Sequence, residues 1–297
     1  MLNTEFRIKH VMRVLLTGAH GRVGEGIKDQ LAGEDDDYEF TYLDREDHPD
    51  YETHVADVND YDAIRPAFDD QDAVIHLAAY PLTDGTWDQI RESNLIGTRN
   101  VLEAAADAEV GTFVFASSIH AAGMYEEEHA PEVYELDHDL TVTVDDPERP
   151  DSYYGGSKAY GEDWGRLYIE THEYPEQFYA VRIASVRGGV YDNPYGDAEK
   201  GVEEGDWERD SDAYETQVKR LKATWLSQRD LGQLVDLCLQ DDEVEFDVFF
   251  ANSDNERSWW DIEHPKELLG YDPQDRGEDW TEPPQELVEH VDANRDD

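Results

Sequence analysis

In the stretch DSYYGGSKAYGEDW, residues 151–164, Tyr154 stands four positions ahead of Lys158. On a helix that spacing is one turn, so both side chains project from one face. Such a pair can do acid–base chemistry. A phenol of unperturbed pKa near 10 is a poor base at neutral pH, and an adjacent ammonium favours the phenolate. Lysine is scarce, 7 residues against 17 arginines, so one inside a small-residue helix start calls for a reason. Tyr153 falls one residue too early to share the face and reads as a packing residue. Tyr-x-x-x-Lys often arises by chance. Here it follows FASS (115–118), which sets Ser117 and Ser118 at the carboxyl end of an apolar run, where doubly wound folds bind ligands.

A second constellation lies near the start of the chain. TGAHGRVG (17–24) spaces Gly18, Gly21 and Gly24 between an apolar run and a helical pattern. Glycines there permit a tight turn, close backbone approach to a pyrophosphate and close helix–strand packing, with a helix N-terminus facing the phosphates. Asp44 ends the next strand-like run, twenty residues after Gly24. An acid there accepts hydrogen bonds from an adenosine ribose and repels a 2′-phosphate, favouring NAD, although the adjacent Arg45 keeps NADP as the minority alternative. Asp57 is placed to take an adenine amino group, or is one more surface acid among 73 Asp and Glu.

The elements that must position these groups are legible. RVLLTG (13–18), YEFTYLD (38–44), DAVIHLAA (72–79), TFVFASS (112–118), FYAVRIAS (178–185) and FDVFFAN (246–252) read as strands. Helical patterns separate them, including long ones over 86–108 and from Tyr154 onward. Alternating strand and helix runs predict a parallel α/β sheet, and nearly continuous apolar strands predict helices on both faces. The fold expected is a Rossmann-type doubly wound sheet with a small C-terminal substrate-binding lid. Residues 1–11 read as an N-terminal extension and 12–297 as one domain, with a cofactor-binding core over about 12–185 and substrate-binding elements over about 186–297. The acidic, proline-containing stretch 126–150 reads as a loop or lid, and the Gly/Pro/Tyr-rich segment to about 213 as irregular.

TGAHGRVG, HLAA, FVFASS and YGGSK in this order resemble the extended short-chain dehydrogenase/reductase (NAD-dependent epimerase/dehydratase) family. That resemblance implies Tyr154 as general base, Lys158 as its activator and ribose ligand, and Ser118 as the hydroxyl orienting substrate oxygen. It also implies that Arg22, Val23, Val58, Leu77, Ala78, Ala79 and Ile183 line the cofactor cleft, that Asn94 supports neighbouring backbone, and that the chain forms a homodimer through the helices near 86–108 and 154–172. His76 reads as structural.

Within the family, ASSIHAAG, VRIASV, RLKATW and WWDIEHPKELLGYDPQD resemble uronate dehydrogenases and, more closely, the NAD-dependent glucose-6-phosphate dehydrogenases of halophilic archaea. The resemblance implies oxidation of a sugar C1 hydroxyl to a lactone, with His120, Ser185 and Arg220 on the sugar. Pro81 and Ile119 replace two polar residues of the uronate enzymes. VKRLKATW concentrates Lys219, Arg220 and Lys222 in four residues of an acidic chain. It reads either as a phosphate clamp, to which Arg187 adds, or as a helix end of locally balanced charge. Glucose 6-phosphate leads as substrate, a uronic acid is second, and a nucleotide-sugar epimerase or dehydratase reaction is the further alternative.

Bulk composition limits the partners. Asp plus Glu number 73 against 24 Lys plus Arg, a formal charge of −49 over 297 residues. That balance repels nucleic acid and anionic membranes, leaving a small molecule as the expected partner. The acids are spread along the whole chain, as in proteins adapted to molar salt, where the Debye length is roughly 3 Å. The single Cys238 sits in an apolar helical pattern and reads as a buried, inert thiol. No His/Asp/Glu set has persuasive metal spacing, no apolar run spans a bilayer and no signal peptide is seen, so a cytoplasmic, metal-independent protein is expected.

Overall fold

A computed structural model describes residues 11–33 and 37–295; most of the expected extension, residues 1–10, lies outside them. Seven parallel strands form one sheet: β1 (Met12–Thr17), β2 (Tyr38–Asp44), β3 (Thr53–Val55), β4 (Ala73–His76), β5 (Thr112–Ser118), β6 (Gln177–Ile183) and β7 (Phe246–Ala251). Their spatial order is β3-β2-β1-β4-β5-β6-β7, so the winding reverses between β1 and β4. The register pairs Thr17 with both Leu43 and His76, His76 with Phe115, and Ser118 with Ile183. The carboxyl ends of these strands therefore share one edge, with the ligand crevice expected at the reversal.

The helices follow in chain order: α1 (Arg22–Leu31), α2 (Tyr61–Ile64), α3 (Trp87–Ile90), α4 (Gly97–Asp107), α5 (Met124–His129), α6 (Tyr153–Thr171), α7 (Gly196–Glu204), α8 (Asp212–Thr224), α9 (Gln228–Gln240), α10 (Glu263–Leu269) and α11 (Gln285–Arg295). A π-helical segment, Arg91–Ile96, joins α3 to α4. Side-chain alternation explains the double covering. Val14 and Leu16 pack with Ile27 of α1 and Leu231, Leu234 and Val235 of α9, whereas Leu15 packs with Val101 and Leu102 of α4 and Tyr168 of α6. Val14, Leu15 and Leu16 of β1 and Ala73, Val74 and Ile75 of β4 are thus buried and apolar on both faces, whereas β2, nearer the sheet edge, carries the exposed Glu39. Cys238 is fully buried on α9, and burial pushes its thiol up, away from reactivity.

Two sequence expectations change. The segment expected to be irregular contains α7, whose buried hydrophobic side chains are only Ala198 and Val202; the cluster is completed by Tyr214 of α8 and by Leu287 and Val291 of α11. So sparse a stripe gives little hydrophobic periodicity. The stretch 126–150 is no bare loop. It begins within α5, and Val133, Tyr134 and Val142 are buried against Trp259 and Trp260. Val142 N–H also donates to the Trp259 carbonyl at 2.7 Å. The expected FDVFFAN strand is β7, which with α9 completes the sheet and its cover.

Candidate active site

The glycine turn forms because β1 runs directly into Gly18, whose φ of +70° suits glycine. A Cβ there would lie 2.7 Å from the Ala78 nitrogen, so the ends of β1 and β4 meet closely. A Cβ on Gly24 would lie 2.5 Å from the Ala19 carbonyl oxygen, which lets α1 pack down onto the turn. The resulting cleft, about 670 Å³, runs from this turn along the strand ends. Gly21, Arg22 and Val23 line it beside Leu77, Ala78 and Ala79, and Ile183 closes it from β6.

At one end lies Asp44. One carboxylate oxygen accepts the His20 N–H at 3.0 Å, and the other accepts the Arg45 N–H at 2.7 Å. Arg45, Asp57 and Val58 line the same end. Asp57 also accepts the Asn59 N–H at 3.1 Å, which holds its own turn. His20, absent from the sequence expectations, joins this wall through the GAHG turn. His20, Glu25 and His48 bring ligand-capable atoms within 4.8 Å of one another. Lys28 Nζ, however, sits 2.7 Å from Glu25 and 3.4 Å from His20, so a side chain already supplies their positive charge.

In the middle, α6 presents Tyr154 and Lys158. Its start is defined by Ser152, whose hydroxyl accepts the Gly155 N–H at 3.0 Å. Ser118 ends β5 and lines the cleft with both of them. Strand alternation separates the two serines: the Ser117 hydroxyl donates to buried Glu162, which also binds Arg182 at 2.7 Å and 3.0 Å. Lys158 Nζ donates to the Ala116 carbonyl at 2.7 Å and lies 5.5 Å from the Tyr154 ring centre.

The electrostatics correct the simple activation argument. Burial lowers Lys158 to about 8, partly opposed by Glu162, so its charge is retained at neutral pH but is not permanent. Burial also raises Tyr154; the hydrogen bond with Ser118 opposes this, and Asp151 adds to the rise. The ammonium is anchored to a carbonyl rather than to the phenol, so desolvation wins at Tyr154.

Two flanking expectations also meet the structure. His76 is buried between Thr17, at 2.8 Å, and Thr98, at 3.3 Å, and burial holds it down at about 3, a structural neutral imidazole. Asn94 accepts from the Tyr80 N–H and donates to the Tyr80 carbonyl and to Ser157, supporting backbone as expected. Tyr153 is instead 60% exposed, edge-on to Trp87.

The far end holds His120, Ser185, Arg187 and Arg220, with Pro81 and Ile119 on the same walls. The three-cation clamp is not assembled here. Successive helical residues point about 100° apart. Lys219 therefore reaches Glu135 at 2.6 Å and Lys222 reaches the Trp280 carbonyl at 2.5 Å, and neither lines the cleft. Only Arg220 faces inward, and Glu126 pairs with it at 2.6 Å. Arg187 is bound bidentately by Asp197. The carboxylate partners were invisible in sequence because nothing marks one acid among 73.

A glycine turn at the reversal of a parallel sheet, facing a Tyr–Lys–Ser set in one cleft, defines a dinucleotide-binding α/β protein of the dehydrogenase type. Residues 14–256 match the model of the NAD dependent epimerase/dehydratase family, and the chain belongs to that family. It is 35% identical over 280 residues to an NAD-dependent glucose-6-phosphate dehydrogenase of Haloferax volcanii, covering 90% of this chain and 95% of that one. It is also 35% identical over 269 residues to an L-arabinose 1-dehydrogenase (NAD(P)(+)) of the same organism, covering 89% and 96%. Among solved structures, the glucuronic acid dehydrogenase of Chromohalobacter salexigens superposes with a TM-score of 0.72 at 29% identity, covering 95% of this chain and 90% of that chain. Among the described residues, no helix is long and apolar enough to cross a membrane.

NAD is the cofactor, and the glycine turn and Asp44 fit it. Asp44→Ala is expected to weaken NAD binding about tenfold, the worth of a charge-assisted hydrogen bond of roughly 1.5 kcal/mol. The preference for NAD over NADP should narrow as well. Parallel titrations of the two dinucleotides check this, and an unchanged preference would remove the ribose role of Asp44.

Proposed function

We propose that this chain is an NAD-dependent sugar dehydrogenase oxidising a C1 hydroxyl to the lactone, with glucose 6-phosphate as its leading substrate. The observation that carries the reaction is the meeting of Tyr154, Lys158 and Ser118 with the glycine turn in one cleft. NAD, when bound, supplies the nicotinamide that accepts hydride. Tyr154 accepts the hydroxyl proton, Ser118 holds the same oxygen, and the Lys158 charge favours the phenolate over the phenol. Arg187 and Arg220 orient the distant end of the sugar.

The phosphorylated substrate draws support from these two guanidinium groups and from the similarity to the Haloferax volcanii glucose-6-phosphate enzyme. A second reading, a neutral aldose, is favoured by the carboxylate already on each guanidinium and by the similarity to an arabinose dehydrogenase. A uronate would find Pro81 and Ile119 where polar partners are expected.

The test is NADH formation in molar salt with glucose 6-phosphate, glucose, L-arabinose and glucuronate. Retained NAD without net NADH would overturn the dehydrogenase reading in favour of internal redox chemistry, as in an epimerase. Arg220→Gln is expected to raise KM for glucose 6-phosphate at least tenfold, the loss of one charge-assisted contact, and to affect glucose much less. Lys219→Gln and Lys222→Gln should each stay within twofold of the parent. Equal losses on both sugars for Arg220→Gln would eliminate phosphate recognition there.

A further inference from the structure

We infer that Asp151 is a positioning residue for this reaction, acting through His120. The inference rests on the sugar-oxidation reading above. Asp151 lies one residue before the cap of α6, and His120 lies two residues beyond the end of β5, so the pair joins the two elements that carry Tyr154 and Ser118. His120 Nδ1 lies 2.5 Å from one Asp151 oxygen. The other oxygen accepts the Ser152 hydroxyl at 2.7 Å, and that same hydroxyl caps α6. Both carboxylate oxygens are therefore committed, and the side chain is only 10% exposed. Burial would push the Asp151 carboxyl up, but hydrogen bonds from His120 and Ser152 hold it below its ordinary range, so it is ionised at neutral pH.

Space for the pair is built into both elements. A Cβ on Gly123 would lie 1.9 Å from an Asp151 oxygen, and one on Gly155 would lie 2.1 Å from the His120 carbonyl oxygen. The imidazole stands edge-on to the Tyr154 ring at 5.9 Å, and the His120 backbone N–H donates to the Ser118 hydroxyl at 3.3 Å. His120 thus touches both groups assigned to the reacting oxygen.

With Asp151 ionised beside it, Nδ1 keeps its hydrogen on the carboxylate side whether the ring is neutral or charged. Nε2, with no hydrogen-bond partner among the described residues, is left for the cleft. It accepts from a sugar hydroxyl when the ring is neutral and donates to a sugar oxygen when the ring is charged. Without the carboxylate, a neutral ring is free to take the other tautomer and to rotate, and sugar orientation is lost.

A double-mutant cycle tests this against a merely structural role, in which Asp151 only ties the loop to α6. Asp151→Asn is nearly isosteric and is expected to lower kcat/KM for the sugar at least tenfold, with NAD affinity within twofold. In a His120→Ala background the same change is expected to have no further effect. An equal loss in both backgrounds would overturn the inference. A second measurement needs neither turnover nor a stable variant at 151: ¹⁵N NMR of the wild-type imidazole, assigned by its loss in His120→Ala. A protonated Nδ1 is expected, and a neutral ring protonated on Nε2 alone would overturn the inference even if sugar oxidation stands. Because the NMR reading is independent of substrate, an inactive sugar panel would count against the proposed function alone.

Discussion

Tyr154→Phe is expected to lower turnover at least a thousandfold while leaving NAD affinity within about threefold. A positioned base contributes about 10²–10⁴ in rate, and Tyr154 lines this cleft together with Ser118 and Lys158. The phenyl ring preserves the edge contact with His120 and the packing under the Lys158 ammonium. Loss of rate is then loss of the hydroxyl itself. NADH formation at saturating sugar gives the rate, and quenching of tryptophan fluorescence gives the cofactor affinity. Activity within tenfold of the parent would show that Tyr154 is not the base.

Lys158→Met should separate activity from stability in opposite directions. Turnover is expected to fall at least a hundredfold because the charge favouring the phenolate is gone. The folded protein, by contrast, should become more stable at neutral pH. Lys158 is fully buried, and its pKa falls from the ordinary 10.5 to about 8. A lowered pKa means that the folded state disfavours the charged form. The penalty, roughly 3 kcal/mol, is fully present below pH 8 and vanishes as pH rises through 10.5. Methionine removes the charge and keeps the stem beside Phe115. One lost hydrogen bond to the Ala116 carbonyl gives back about 1 kcal/mol. Tm in molar salt should therefore rise by a few degrees at pH 7 and by clearly less at pH 10. A lower Tm at pH 7, or the same gain at both pH values, would contradict the assignment of Lys158 as a strained functional charge.

Spacing showed that Tyr154 and Lys158 share a helical face, which the structure bears out. Spacing could not show that the ammonium leans onto a β5 carbonyl, because that contact depends on how α6 packs against the sheet. The clamp is the mirror case. Lys219, Arg220 and Lys222 are close in sequence, yet their helix sends each toward a different neighbour: Glu135, Glu126 and Trp280.

What the sequence determined by itself were the features set by local rules. Glycine spacing after an apolar run, acidic punctuation at Asp44, and continuous apolar strands separated by helical patterns each follow from covalent geometry or from period, and together they specify the doubly wound sheet. What only the tertiary structure decided is which charges meet. Partners such as Asp151 for His120, Glu126 for Arg220 and Asp197 for Arg187 lie 10 to 94 residues apart in the chain. In a chain this acidic, side-chain identity says nothing about pairing. Only packing withdraws a few carboxylates from solvent and sets them against particular cations, and burial there is what gives those contacts their strength.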